Sequence, residues 1–339
     1  MAVTINDVAS AAGVSKGAVS YALNGQPGVS EGTRARILQV AKELGWKPSI
    51  RAKGLSSSKA YALGLVVARD AKLLSTDPFF PAFIAGIETT LVEHQYTLVL
   101  SIASGPETEE QSYRKLAEDG RVDGVILTDM RNDDSRIALL GELGLPAVTL
   151  NRPEAHSPFP AVCMDDTDGI TSAVEHLISL GHSRIAHVGG PQNYIHSRSR
   201  RGAWSKTLEA AGLKDDLFIE ADFTAASGAA ATDSLLSRQD RPTAIVYAND
   251  LMAIAGQSLA QTRGFTVPAD LSITGYDNTE ITQYLNPPLT TIAADPLLWG
   301  QAAAELLLKY LNGTPAEDIL LPAPRLLVRG STGPVRSAA

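Results

Sequence analysis

The chain has 339 residues, a net charge of −8, 44% apolar residues and one cysteine, Cys163. That length suits two or three domains, and a lone cysteine excludes an internal disulfide framework and any paired-cysteine metal site. No apolar run approaches the ~20 residues that span a bilayer, and the start carries no basic, apolar, cleavable leader, so a cytoplasmic protein with no membrane partner is expected.

The charge is unevenly spread. Residues 1–60 hold eight Lys/Arg and three acids, for +5, which leaves −13 on the remainder. A small basic module on an acidic body is attracted to DNA at one end and repelled at the other.

Three short helices open the chain. Thr4 caps the first, with Asp7 as its reciprocal partner at the third helical position; Ile5, Val8, Ala9 and Ala12 share a face, and Gly13 ends it. Ser15 caps a second helix, whose inward stripe is Ala18, Val19, Ala22 and Leu23, closed by Asn24-Gly25. Ser30 caps a third, carrying Ile37, Leu38, Ala41 and Leu44 and stopped by Gly45. Two short helices joined by a tight Ala-Gly-Val turn above a third make a helix-turn-helix, whose second helix enters the major groove. Lys16, Gly17 and Tyr21 point away from its apolar stripe and are the candidate base readers: Lys16 can donate to guanine O6 or N7, and Gly17 permits close approach. Thr4, Ser15, Ser20 and Asn24 are small hydrogen-bonding residues suited to phosphates. A capped helical bundle with a solvated polar face is the duller alternative; the local charge and the tight turn favour DNA.

The stretch TINDVASAAGVSKGAVSYALNGQPGVSEGTRARILQVAKELGWKPS resembles the headpiece of the lactose-repressor (LacI/GalR) family, and the resemblance runs to near the C-terminus. It implies that Lys16, Gly17 and Tyr21 occupy base-reading positions, although the family often has Arg where Tyr21 stands. It also implies a headpiece over 1–48, a hinge over 49–60 and a ligand-binding core over 61–339.

In the hinge, Ser49 can cap Ile50-Arg51-Ala52-Lys53-Gly54-Leu55. Six residues are too few for a stable isolated helix, and Gly54 costs about 1 kcal/mol relative to Ala, so physics alone reads a linker. The resemblance implies a segment that folds on DNA, pairs with a second copy in the minor groove and sets Ala52 and Leu55 against the duplex. Leu55 would wedge into a kinked step at the centre of a palindromic operator held by a homodimer.

Beyond residue 60, strands and helices alternate. Leu63–Val67, Thr97–Leu100, Val122–Leu127, Ala147–Leu150, Arg184–Val188, Ala244–Tyr247 and Leu271–Thr274 read as strands, with helices near 166–180, 198–211 and 250–263. Asp295 and Pro296 open a late helix that Gly313 closes. Alternation of this kind makes parallel sheets covered by helices, and this length exceeds one core, so two α/β lobes are expected. The resemblance implies the same: a helix-turn-helix headpiece on a two-lobed core like that of periplasmic sugar-binding proteins. Its N-lobe covers about 61–161 and 292–323, and its C-lobe about 162–291 and 324–339.

Ligands of such folds bind at the carboxyl ends of parallel strands. The resemblance assigns Phe80, Asn151, Arg200, Phe223, Asn249 and Asp277 to that cleft. Five of them have a plainer role: Phe80 in the core, Asn151 and Asp277 in turns, Arg200 as a solvated helix start, Asn249 as a helix cap. Together, aromatics, amides, one Arg and one Asp suit a neutral polyol, so a small sugar is the expected effector, with a nucleoside or purine as alternative. Arg69 and Lys72 argue weakly for an anion. Replacing Asp277 by Asn or Arg200 by Ala is expected to remove the ligand's effect and leave folding largely intact.

An enzyme is not expected, because GxSxG, HExxH, Walker and GxGxxG motifs are all missing, and neither cofactor nor metal is called for. A sugar-binding receptor without a DNA role would share the body but would not need the basic headpiece. The expected function is a ligand-responsive DNA-binding regulator, most simply a repressor of sugar-utilisation genes.

Overall fold

The computed structural model describes residues 3–23, 26–46, 59–69, 71–153 and 156–336, without the side chains of 71 and 72. Two compact units divide at Tyr61 and Ala62. The expected DNA contacts Asn24, Ala52 and Leu55, and almost all of the hinge, lie outside the described residues.

In the first unit, α1 (Ile5–Ala12), α2 (Lys16–Leu23) and α3 (Glu31–Glu43) close around Val8, Ala9, Ala12, Val19, Ala22, Ile37 and Ala41. The caps set the helix starts. Asp7 accepts from both the Thr4 N–H and the Thr4 hydroxyl at 2.7 Å, while Ser15 and Ser30 accept from Ala18 and Thr33 N–H. Gly13 takes φ 62°, which turns the Val14 N–H back onto the Ala9 carbonyl at 3.0 Å and frees the chain for α2. Leu38 and Leu44 stay 47% and 37% exposed. The small core of three short helices is already filled by Ile37 and Ala41 from α3.

The second unit holds β1 (Ala62–Val67), α4 (Ala71–Thr76), α5 (Phe79–Glu93), β2 (Thr97–Ile102), α6 (Pro106–Glu118), β3 (Gly124–Leu127), α7 (Ser135–Glu142), β4 (Ala147–Leu150) and β5 (Ala161–Cys163). These precede α8 (Asp166–Ser179), β6 (Ile185–Gly189), α9 (Ile195–Ala210), β7 (Phe218–Glu220), α10 (Ala225–Leu236), β8 (Ala244–Tyr247), α11 (Asp250–Thr262) and β9 (Ser272–Tyr276). Then come β10 (Thr290–Ala293), α12 (Pro296–Leu311), β11 (Ile319–Leu320) and β12 (Arg325–Leu327). Two six-stranded sheets form, in the orders β11-β5-β4-β3-β1-β2 and β12-β10-β9-β8-β6-β7. Every pairing is parallel except β10 with β12. β1, β3, β4, β6, β8 and β9 are buried along their whole length, which fits strands covered by helices on both faces.

The three crossings between lobes fall slightly later than expected at two places. β5 pairs with β4 through Leu150↔Val162, so Val162 and Cys163 stay with the first sheet. β10 runs to Ala293 beside β9 and β12, so Ile292 and Ala293 stay with the second. In both cases the chain completes its ladder before leaving, which an apolar pattern does not reveal. The third crossing lies between Leu320 and Arg325.

In the first lobe, α5 and α12 touch backbone to backbone. A Cβ on Gly86 would stand 2.0 Å from the Leu297 carbonyl oxygen, and one on Gly300 would stand 2.1 Å from that of Phe83. This close approach brings Phe79 and Trp299, one from each helix, edge to face with ring centroids 6.1 Å apart.

Candidate functional site

The exposed face of α2 carries Lys16, Gly17 and Tyr21, with Ser15 exposed at its cap and Ser20 half-buried beside them. Val19 and Ala22 face the core instead, as the 3.6-residue period requires. Tyr21 is 46% exposed, and its ring covers Gly28, whose φ of 114° turns the loop beneath it. Arg34 ties that loop to α3 by donating to the Gln26 carbonyl at 2.7 Å. Among the described residues a Cβ on Gly17 would meet only the Ser15 hydroxyl at 3.8 Å, so none of them requires glycine there. The Thr4 hydroxyl donates its proton to Asp7, which it must release before donating to a phosphate.

In the second unit, the six expected ligand residues Phe80, Asn151, Arg200, Phe223, Asn249 and Asp277 line one cavity at the carboxyl ends of both sheets. Arg69, Asp77, Phe79, Thr128, Asp129, Leu150, His196 and Trp299 line it as well. Four of these residues combine a place just after a strand with a left-handed backbone: Asp129 (φ 50°), Asn151 (φ 65°), Phe223 (φ 69°) and Asp277 (φ 110°). Such conformations cost about 1–3 kcal/mol for a non-glycine residue and cluster at functional sites.

Several of these side chains also hold the fold. Arg200 donates to Asp166 at 3.0 Å and to the Ala248 carbonyl at 2.7 Å and lies over the Tyr276 ring, leaving three of a guanidinium's five N–H donors. Asn249 caps α11 through the Met252 N–H and donates to the Phe223 carbonyl, both at 3.0 Å, so its plainer role is realised at the cavity wall. Asn151 accepts from the Met164 N–H at 3.0 Å and joins the ends of β4 and β5. Phe80 is 1% exposed and is also part of the first-lobe core.

The charges largely cancel. Arg69 pairs with Asp129 and Arg200 with Asp166. Burial alone would raise the Asp129 carboxyl, but the Arg69 guanidinium outweighs it and holds Asp129 below the ordinary carboxylate range. Among the described residues Asp277 forms no salt bridge: burial, then the nearby Asp250 and Asp77, push it well above the ordinary value of 3.8 against the pull of Arg200. Burial, reinforced by Arg200, pushes the His196 imidazole down and keeps it neutral near pH 7.

Aromatic rings wall the cavity on both sides. Phe79, Phe80 and Trp299 come from the first lobe. From the second come His196 and Phe223, which stack in a row with Tyr194 behind them, centroids 5.6 and 5.7 Å apart. The lobes meet beside them, where the Ile195 N–H donates to the Met130 carbonyl at 2.9 Å and Arg131 bridges Tyr194. Asp129 follows β3 as Asn151 follows β4, so the strand-end rule, applied to every strand, would have found it. Trp299 and His196 carry no such signal.

Among the described residues no group of His, Cys, Asp and Glu is arranged to hold a metal, and no helix is long and apolar enough to cross a membrane.

Residues 4–49 match the model of bacterial regulatory proteins, lacI family, and residues 174–332 match that of the periplasmic binding protein-like domain. The HTH-type transcriptional regulator CelR of Thermobifida fusca is 33% identical, over 97% of this chain and 98% of that protein. The HTH-type transcriptional repressor PurR of Photobacterium profundum is 32% identical, over 97% and 98%. Among solved structures, the lac repressor dimer bound to operator superposes with a TM-score of 0.83 at 31% identity, over 98% of this chain and 100% of that one. The CelR–cellobiose complex does so with 0.75 at 32%, over 97% and 99%. With a matching headpiece, a matching core and relatives of this identity along nearly its whole length, the chain belongs to the lacI family of bacterial regulatory proteins, which are transcriptional regulators and not enzymes.

Proposed function

We propose that this chain is a cytoplasmic, homodimeric repressor whose hold on a palindromic operator is changed by a small neutral sugar. Lys16, Gly17 and Tyr21 read bases in the major groove, while Ser15, Ser20, Asn24 and, once free of Asp7, Thr4 hold phosphates. Ala52 and Leu55 reach the minor groove from the hinge. In the body, Phe80 and Phe223 cover the apolar C–H faces of a sugar ring, and Asn151, Arg200, Asn249 and Asp277 bind its hydroxyls. Ligand that prefers one lobe closure biases the dimer's DNA-binding state, and the coupling is reciprocal.

The observation that carries the reading is a single cavity with aromatic walls and internally cancelled charge. It favours an uncharged, hydroxyl-rich ligand with one flat apolar face. CelR, solved with cellobiose, supports a sugar. PurR relatives and the flat aromatic row support the second reading, a purine base or nucleoside.

A thermal-shift panel of cellobiose, maltose, nucleosides and purine bases separates the two. DNA selected from a random pool, with and without each hit, then tests the regulator reading. A sugar that raises the melting temperature and changes DNA affinity is expected. Stabilisation by purines alone removes the sugar assignment, and binding without any effect on DNA removes the effector role.

A further inference from the structure

The cavity leaves about 70 Å³ free, well below the roughly 300–1,000 Å³ of a small-molecule pocket. Arg69 lines it. Its side chain leaves the carboxyl end of β1 in the first lobe and donates from Nε to Asp129 Oδ2 at 2.7 Å and from Nη2 to the other carboxylate oxygen. Its guanidinium lies 4.9 Å from the Phe223 ring centroid, 5.3 Å from that of Tyr194 and 5.5 Å from that of Phe80. Phe80 belongs to the first lobe; Tyr194 and Phe223 belong to the second. A flat polar group is thus seated among aromatic faces and tied by a carboxylate, the contacts expected of a ligand.

We propose that Arg69 is a built-in occupant of the cleft, and that an effector must displace its guanidinium from the Phe80, Tyr194 and Phe223 faces. This rests on reading the cavity as the ligand site. Without effector, Arg69 joins a first-lobe carboxylate to second-lobe rings and holds the lobes together. Its departure frees both the aromatic faces and Asp129, whose carboxylate then accepts from ligand hydroxyls. The cleft thereby selects compounds that offer hydroxyl donors beside a flat apolar face, and it discriminates against anions, which would meet an unpaired Asp129. Affinity for any effector is reduced by the fraction of molecules in which Arg69 is seated.

The test needs no knowledge of the effector. In the full-length chain, Arg69→Ala leaves a guanidinium-shaped space facing Asp129. Ethylguanidinium, well below denaturing concentrations, should raise the melting temperature of Arg69→Ala saturably and leave the parent and the Arg69→Ala/Asp129→Asn double variant unmoved; ethylammonium should do less. An equal response of parent and single variant overturns the proposal. If Arg69→Ala does not fold, the Arg69 Nε–H resonance of the parent, assigned with Arg69→Lys, decides: protection from solvent exchange is expected, and fast exchange overturns it. Cellobiose, maltose and adenosine supply the second arm. Any of them that binds the parent should bind Arg69→Ala about tenfold more tightly, a difference of about 1.4 kcal/mol. Weaker binding would make Arg69 a ligand donor and sink the proposal. If none binds either protein, the choice of ligand class fails while the rescue result stands.

Discussion

The DNA-facing helix and the ligand cleft use their residues in opposite ways. On α2, the exposed residues have few duties inside the fold: Val19 and Ala22 pack the core, Lys16 and Tyr21 face outward, and Gly17 touches nothing among the described residues that would exclude a Cβ. In the cleft, the residues that face the cavity also build its walls. Arg200 neutralises buried Asp166, Asn249 caps α11, and Phe80 fills the core. An exposed reading surface can change partner without changing the fold, whereas a buried site that changes ligand must also preserve its own structure.

The comparison breaks most completely if the two functions cannot be separated. Removing residues 1–60 takes away the +5 module and should abolish DNA binding, while the body keeps its thermal shift with ligand. In the full chain, operator affinity should fall steeply with salt, as counterion release from several phosphate contacts requires. DNA binding by the truncated body would contradict the division of labour.

The next largest effect corrects an expectation from the sequence. Arg200→Ala was expected to silence the ligand response and leave folding largely intact. With side chains 8% and 1% exposed, the Arg200–Asp166 pair is buried, and removing the guanidinium leaves the Asp166 carboxylate only the Tyr276 hydroxyl at 2.5 Å among the described side chains, at a cost of up to roughly 3–5 kcal/mol. Denaturant unfolding should show that loss in the body; full stability would mean that Asp166 is satisfied some other way. Arg200→Ala is therefore a poor probe of ligand binding alone.

Gly17→Ala sharpens the other half. Nothing among the described residues of the headpiece opposes the methyl group, and replacing a glycine in the first turn of α2 by alanine should stabilise it by roughly 0.4–1 kcal/mol. If DNA approaches α2 closely at this point, specific affinity should nevertheless fall by about tenfold, the equivalent of about 1.4 kcal/mol. A variant that is more stable and binds DNA as before would free position 17 of any reading role.

The difference in legibility has the same origin. The headpiece follows from neighbours in sequence: Thr4 with Asp7, Gly13 with Val14, Ser15 with Ala18. The sheets were legible because buried parallel strands are continuous apolar runs, while the short β5, β7, β11 and β12 were not, since three residues or fewer carry no period. In the cleft, Asn151 and Asp277 stand where strand ends place them. The seating of Arg69 was beyond reach, because the rings it meets, Tyr194 and Phe223, come from the other lobe.

A smaller effect reports on Asp277. Its carboxyl titrates well above 3.8 in the folded chain, so the folded state holds its proton more tightly than the unfolded state does. The stability it contributes is full below about pH 3.8 and is lost progressively as pH rises through the raised folded value. Asp277→Asn cannot ionise, and Asn tolerates a left-handed backbone. The variant should therefore gain in melting temperature relative to the parent as pH rises above about 4. A constant difference between the two would mean that Asp277 is not held protonated.

The same variant gives the most direct test of ligand control over DNA. Affinity for selected operator DNA is measured in the parent and in Asp277→Asn, each with and without the panel compound that stabilises the parent. The account predicts equal DNA affinity without ligand, a clear change on adding ligand to the parent, and about a tenfold higher ligand concentration for the same change in the variant, since an amide NH2 replaces a carboxyl oxygen that accepts from a ligand hydroxyl, and leaving a buried polar group unpaired costs about 1–3 kcal/mol. An identical ligand response in both proteins, or no response in the parent, would contradict it.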